Sequence, residues 1–367
     1  MRYDYLIVGA GFSGCVLAER IASQLNKKVL ILDKRGHIGG NAYDYYNQEG
    51  ILVHKYGAHL FHTNNKKVFN YIRQFTDWRP YEHRVLSCID GKKYPFPINR
   101  NTLNKLYHLS LETEEDVKKY YGKVREKIDT PKNAEEMVLS LVGKDLFEKF
   151  YKNYTYKQWG IDAKQLSPGV TARIPIRTNG DNRYFADLYQ GVPLNGYTEM
   201  FKKMTRHRNI TVELNTDYKS VLDLLEFDKM IYTGAIDEYF DFIYGKLPYR
   251  SLKFEHETLD MEYYQNVNVV NYPNDYDFTR IIEWKHATGQ NHLKTSITRE
   301  FPMQAEDGSD KYYPIPRDEN SKLYTRYKDE AEKLKSVLFC GRLADYKYYN
   351  MDQVTARALK LFGKKVC

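Results

Sequence analysis

Residues 3–14 read YDYLIVGAGFSG, an apolar run that ends in glycines at positions 9, 11 and 14. Tyr3 to Val8 predict a strand, and Leu17, Ile21 and Leu25, at four-residue spacing, predict a helix directly after the glycines. A second apolar strand, Val29 to Leu32, ends at Asp33, 19 residues beyond Gly14. Strand, glycine turn, helix, strand and acidic residue in this order are the fingerprint of a Rossmann dinucleotide site. Gly9 permits the tight turn, Gly11 lets backbone approach a pyrophosphate, and Gly14 lets the helix pack on the sheet. The helix N-terminus offers N–H groups to the anion, and Asp33 is placed to accept ribose hydroxyls.

The continuation, DKRGHIGGNAYD from Asp33 to Asp44, sets Lys34 and a turn of Gly39, Gly40 and Asn41 after the acidic residue. That arrangement resembles FAD proteins of the glutathione reductase and amine oxidase type, so FAD is the expected dinucleotide. Near the other end, GRLADYKYYNMDQV from Gly341 to Val354 reads as a glycine followed by a helix N-terminus, which can bring backbone donors to the isoalloxazine end.

At 367 residues the chain exceeds what one core usually supports, so two or three packed units are expected. No apolar run approaches the roughly 18–20 residues that cross a bilayer, and MRYDYLIVG reads as a strand, not a leader; no membrane insertion and a cytoplasmic home are expected. Cys15, Cys88, Cys340 and Cys367 are too far apart for a dithiol or zinc motif, which predicts reduced thiols and no metal. A net charge of +8 is a modest excess, as compatible with nucleic acid as with a small polyanion such as a nucleotide diphosphate; charge alone does not separate them, and the expected partner is the nucleotide, with no nucleic acid. The 34 tyrosines offer stacking faces and hydroxyl donors of the kind that nucleotides and sugars use.

From Thr102 to about Gln165 the pattern is helical, with Asn133 and Glu136 as a capping box and an apolar stripe of Leu146, Phe147, Phe150, Tyr151 and Tyr154. Between Tyr249 and Pro316, short β-rich runs (SLKFEHETL, NVNVVNYP, FTRIIEWKH, KTSITREFP) predict an antiparallel sheet. α/β character returns in ITVEL and KMIYTG within 196–234 and again from Val337 to Leu361. The expected architecture is α/β. A discontinuous Rossmann-like FAD-binding domain (1–78, 195–245 and 330–367) carries an inserted α-helical domain (99–172) and an antiparallel β-sheet domain (79–98, 173–194 and 246–329).

Arginines and aromatics concentrate in KYGAHLFHT, YTYKQWG, RIPIR, DNRYFAD, YRSLKF, FTRIIEWKH, YYPIP and GRLADYKYY. Guanidinium forks match phosphate oxygens, and tyrosine hydroxyls can join them in chelating a diphosphate. Together with HIGGNAY, these segments stand in the order found in the UDP-galactopyranose mutases, which the chain resembles from Tyr3 to about Leu361.

The resemblance implies FAD contacts by Ser13, Asp33, Lys34, Asn41, His59, Leu60, Arg342, Met351, Asp352, Gln353 and Val354, beside Gly9, Gly11, Gly14 and Gly40. It makes Arg173, on a mobile lid, and Arg250 the essential arginines for a departing UDP, and Tyr184, Tyr313 and Tyr348 the phosphate-contacting phenols. Phe150, Thr155, Trp159, Asn271 and Arg280 fall where the uridine, sugar and flavin regions are lined, with His59 orienting flavin N5 or the sugar. The implied reaction interconverts UDP-galactopyranose and UDP-galactofuranose without net redox change, reduced FAD N5 acting as nucleophile on the anomeric carbon. A homodimer serving a cell-surface polysaccharide that contains galactofuranose is implied as well. Asn350, Tyr156 and the His83–Arg84 stretch depart from several relatives and leave open whether the N-acetyl sugar is also taken. Two other readings share the N-terminal fingerprint: a flavin amine oxidase or desaturase, and a binding module that has lost flavin chemistry. Neither accounts for Arg173, Arg250, Tyr313 and Tyr348 together with YTYKQWG.

Overall fold

The strand Arg2–Val8 sits at the centre of a five-stranded parallel sheet, flanked by Val29–Leu32 and then Ile210–Glu213 on one side, and by Glu226–Tyr232 and then Val337–Phe339 on the other. The computed structural model describes residues 2–306 and 308–366, so Met1 and Cys367 lie outside the described residues. Alternation along these strands feeds two faces. Tyr5, Ile7, Val29, Ile31 and Ile231 pack under the helices Phe12–Leu25 and Met351–Leu361. Leu6, Leu30, Leu32, Met230 and Tyr232 pack against Tyr218 on the opposite face.

A seven-stranded sheet runs in the order Tyr313–Pro314, Tyr249–Leu259, Thr295–Gln304, Arg280–Glu283, Val269–Asn271, Val85–Ile89, Lys92–Phe96. The expected antiparallel sheet needs one correction, because Val269–Asn271 pairs parallel to Val85–Ile89. Strands joined by tight hairpins must run antiparallel. The Val85 strand instead arrives from its own upstream hairpin, turned at Asp90 and Gly91, both with positive φ (50° and 74°). Its direction is therefore independent of the later meander.

Between hairpin and meander lie the helices Arg100–Tyr107, Glu114–Val124 and Ala134–Val142, then a continuous stretch from Lys144 to Trp159 that widens into a π turn over Phe147–Lys152. Tyr94 and Phe96 of the hairpin, Val138, Leu146 and Phe147 of the helices, and Trp284 share one buried cluster. Half of the expected capping box is present. The Asn133 side chain accepts the Glu136 N–H (2.9 Å), but the Glu136 carboxylate returns to the Lys132 N–H (2.8 Å) and not to that of Asn133. Tyr154 also leaves the apolar stripe, its hydroxyl turned to Arg280. Cys15, Cys88 and Cys340 are free and buried. Among the described residues no helix is long and apolar enough to cross a membrane.

The first turn is the tightest point of the fold. Gly9 has φ of +105°, and a Cβ on Gly14 would lie 1.9 Å from the Gly9 carbonyl oxygen. Replacing Gly14→Ala must push the helix Phe12–Leu25 off the sheet, at a cost of about 1–3 kcal/mol. Urea unfolding measures this, and unchanged stability would show that the approach of helix and strand is not tight.

Candidate active site

A cavity of about 880 Å³ opens beyond the C-terminal ends of the parallel strands, the usual ligand position in such sheets, and its size is that of a cofactor pocket. The helix Phe12–Leu25 starts there from Gly11 with no side-chain cap, so its first-turn N–H groups face an anion unopposed. Gly9, Gly11, Ser13, Asp33, Lys34, Gly40 and Asn41 line the cavity, together with His59, Arg342, Met351 and Val354. A glycine cradle, an uncapped helix end and this volume fit a dinucleotide. Asp33 also holds the turn, since its two oxygens accept the Ala10 N–H (2.8 Å) and the Arg35 N–H (2.9 Å).

Four residues expected at the cofactor do not line the cavity. Gly14 lies at the helix–strand contact, and Leu60 packs with Val192 and Ala287. Asp352 accepts the Thr63 hydroxyl (2.9 Å), and Gln353 caps its own helix by accepting the Asn350 N–H (3.0 Å). Sequence reading missed Thr216–Lys219 and Thr233–Ala235, which line the cavity directly after the strands within ITVEL and KMIYTG. Their position after parallel strands was the available signal.

His59 donates Nδ1–H to the Gly57 carbonyl (2.9 Å), and its backbone N–H donates to His54 Nδ1 (3.1 Å). Burial, with help from His54, pushes the imidazole down to about 3. It is therefore neutral at physiological pH, with Nε2 as an acceptor.

Arg342 joins this cavity to a cluster of arginines and tyrosines. Its guanidinium donates to the carbonyls of Tyr312 (3.3 Å) and Tyr349 (2.6 Å) and lies 5.2 Å from the Tyr348 ring centroid and 5.6 Å from that of Tyr313. The two rings stack at 5.2 Å. Arg173, just beyond the short helix Gly169–Ala172, is open to solvent and sits 4.4 Å over Tyr348. Arg280 is bonded to the Tyr154 hydroxyl, and its Nε lies 3.5 Å from Glu300 Oε1. Beside it Asn271 keeps a buried Oδ1 without a partner. Tyr184 reaches the same place, its N–H donating to the His83 carbonyl (2.6 Å). Burial pushes the Tyr348 phenol up, but Arg173 and Arg342 outweigh it and the net shift is downward from the ordinary tyrosine value. Tyr313, burdened by burial and by Tyr348, is shifted upward. Burial, with Arg280 and His62, takes His83 down to about 3, and its Nδ1 has no partner.

Arg250 is not in this company. It is 6% exposed, and it donates Nε–H to the Gln158 carbonyl (2.9 Å) and Nη2–H to that of Lys157 (3.1 Å), closing the C-terminal end of the helix Asn153–Trp159. Arg280, expected as a lining residue, stands across the strands from Asn271 and Glu300 and is bonded to Tyr154. Phe150 is 2% exposed and packs near-parallel to Phe96, so its face is not offered to a ligand, and Thr155 is buried with it. Trp159, also buried, tilts against Tyr313 at 6.3 Å.

A Rossmann-type dinucleotide cavity that meets a cluster of arginines and tyrosines places the chain among dinucleotide-binding α/β proteins. Comparison with known proteins narrows the class. The profile of the family described as UDP-galactopyranose mutase matches residues 149–348, and that of an NAD(P)-binding Rossmann-like domain matches residues 7–75. The chain is 37% identical to a probable UDP-galactopyranose mutase of Klebsiella pneumoniae, over 97% of this chain and 93% of that protein. It is 35% identical to a dTDP-fucopyranose mutase of Escherichia coli, over 97% and 96%. The crystal structure of a reduced UDP-galactopyranose mutase shares the fold with a TM-score of 0.77 at 15% identity, covering 100% of this chain and 96% of that one. The chain belongs to the UDP-galactopyranose mutase family of isomerases.

A cation beside a phenol favours the phenolate, so removing the cation raises the phenol's pKa. Arg173→Met is therefore expected to move Tyr348 ionisation to higher pH. The difference in ultraviolet titration between each protein and its Tyr348→Phe counterpart isolates that phenol; identical curves with and without Arg173 would break the link.

Proposed function

We propose that the protein interconverts UDP-galactopyranose and UDP-galactofuranose with bound FAD kept reduced, and with no net oxidation. The observation that carries this reading is Arg342, which lines the dinucleotide cavity and at the same time faces Tyr313 and Tyr348 of the cationic cleft. A sugar whose diphosphate lies among Arg173, Arg280 and Arg342 is thereby delivered to the flavin end of the cavity. Reduced flavin, when bound, supplies a nucleophilic N5 for the anomeric carbon.

The chain's own residues do the rest. Arg173, Arg280 and Arg342 steady the negative charge that grows on the departing diphosphate, and Tyr184, Tyr313 and Tyr348 add hydroxyl donors. Arg173 stands at the solvent side, so its closing over Tyr348 excludes water. Neutral His59 accepts a hydrogen bond at Nε2, from the flavin or a sugar hydroxyl, and cannot add positive charge beside the reacting carbon. Arg250 holds the helix end against the strand that pairs with Tyr313, a supporting part in place of a direct grip. The same reading makes the protein a cytoplasmic homodimer serving a galactofuranose-containing surface polysaccharide; its free, buried thiols support a reducing compartment.

A second substrate, dTDP-fucopyranose, is favoured by the near-equal identity to the Escherichia coli relative. Dithionite-reduced protein is given UDP-galactofuranose, its N-acetylated counterpart and dTDP-fucopyranose in parallel, with products separated by chromatography. Turnover of the first is expected, and turnover of dTDP-fucopyranose alone would replace the galactose assignment. Arg173→Ala is expected to keep its flavin absorbance and lose about 10²–10³-fold in kcat, the usual cost of removing one preorganised donor from a developing anion. Activity at the wild-type level would remove Arg173 from the reaction.

A further inference from the structure

Two glutamates are buried in the seven-stranded sheet, and they differ in kind. Glu283, fully buried, accepts from the Tyr264 N–H (2.8 Å), the Gln265 N–H (2.8 Å), the Thr295 hydroxyl (2.6 Å) and His286 Nε2 (3.1 Å). Every lone pair has work in holding the sheet together. Glu300, 3% exposed, has no such set, and its Oε1 is buried without a hydrogen-bond partner. It stands directly across the strands from Arg280, with Oε1 3.5 Å from the guanidinium Nε, which itself lacks a hydrogen-bond partner. The two charges attract, but no directional bond locks them. Glu300 Oε2 lies towards Gly57, 3.2 Å from where a Cβ there would stand, and the Gly57 carbonyl holds His59.

A buried carboxylate oxygen kept without a donor is expensive to maintain and points to a role beyond packing. The charges around it suggest which. Arg173 and Arg342 face Tyr348, Arg280 faces Tyr154, and Glu300 is the acid that opposes Arg280. A diphosphate that enters competes with Glu300 for Arg280. In a mutase the competition has a use, because the diphosphate must leave the anomeric carbon and later return to it. Arginines that held the departed group too firmly would slow the return.

We propose that Glu300 is a positioning residue that tempers the grip of Arg280, a built-in counter-anion that the guanidinium exchanges for diphosphate on binding and takes back on release. This rests on the reading of the cleft as a diphosphate site.

Calorimetric titration of the FAD-loaded protein with UDP tests it. Glu300→Gln, which keeps shape and removes charge, is expected to bind UDP roughly tenfold more tightly than wild type and to lower KM and kcat together. Loss of general repulsion would tighten binding with or without Arg280, so the background that lacks Arg280 is the deciding comparison. Arg280→Met alone and Arg280→Met with Glu300→Gln should bind UDP equally, since the effect runs through Arg280. Glu300→Asp, which keeps the charge but withdraws it by one methylene, falls between wild type and the Gln variant. Should the Gln variant fail to fold, the Asp variant carries the test, and UDP affinity below wild type overturns the proposal. Unchanged or weaker binding in Glu300→Gln overturns it as well. Wild-type protein that binds neither UDP nor dTDP would instead remove the diphosphate reading itself, a separate result.

Discussion

Guanidiniums repel one another, and a site that gathers several must hold each by something other than the ligand. Here the restraints differ. Arg342 is tied to two backbone carbonyls, Arg173 rests on the face of Tyr348, and Arg280 is balanced by Tyr154 and Glu300. The groups come from distant stretches: the segment after Gly169–Ala172, the strand Arg280–Glu283, the short strand at Tyr313, and the loop before Met351–Leu361. Only the stacking of helical insert, meander and parallel sheet brings them to one cleft. The parallel sheet, the helical insert and the meander can be understood as the frame that the charge cluster requires.

The histidines show how the charge is kept constant. His54, His59 and His83 are each pushed down to about 3, chiefly by burial, so none carries a proton between about pH 5 and 8, where an unperturbed histidine would switch. The positive charge of Arg173, Arg280 and Arg342 is guanidinium charge, which does not titrate in this range. Imidazoles beside it act as acceptors and spacers. The phenol of Tyr348 is the group left to respond, with its ionisation pulled down by the arginines around it.

Much of the fold was legible because local chemistry settled it. A Gly14 that closes on the Gly9 carbonyl, apolar strands ending at Asp33, and β-rich runs with turn residues need no tertiary information to be read. The site was legible as a set of residue types, less so as an arrangement. Arg250 in YRSLKF and Arg280 in FTRII look alike in sequence, and what separates them is that the helix end at Lys157 and Gln158 lies beside one of them. Phe150 belongs to an apolar stripe that could have presented a face to a ligand, yet the π turn over Phe147–Lys152 turns it into the core against Phe96. The parallel pairing of Val269–Asn271 with Val85–Ile89 depended on a connection through the whole helical insert, beyond the reach of any short window. Glu300 sat unnoticed in KTSITREFP because an acid in an alternating strand normally faces water.

On this reading the arginine and tyrosine cluster and the dinucleotide cavity form one site joined at Arg342. Titrating UDP into the FAD-loaded protein while recording the flavin absorbance tests it most directly. A saturable change in the flavin bands, weakening as salt is raised, is the predicted result. UDP that binds by calorimetry yet leaves the flavin spectrum untouched would place the nucleotide elsewhere and contradict the account.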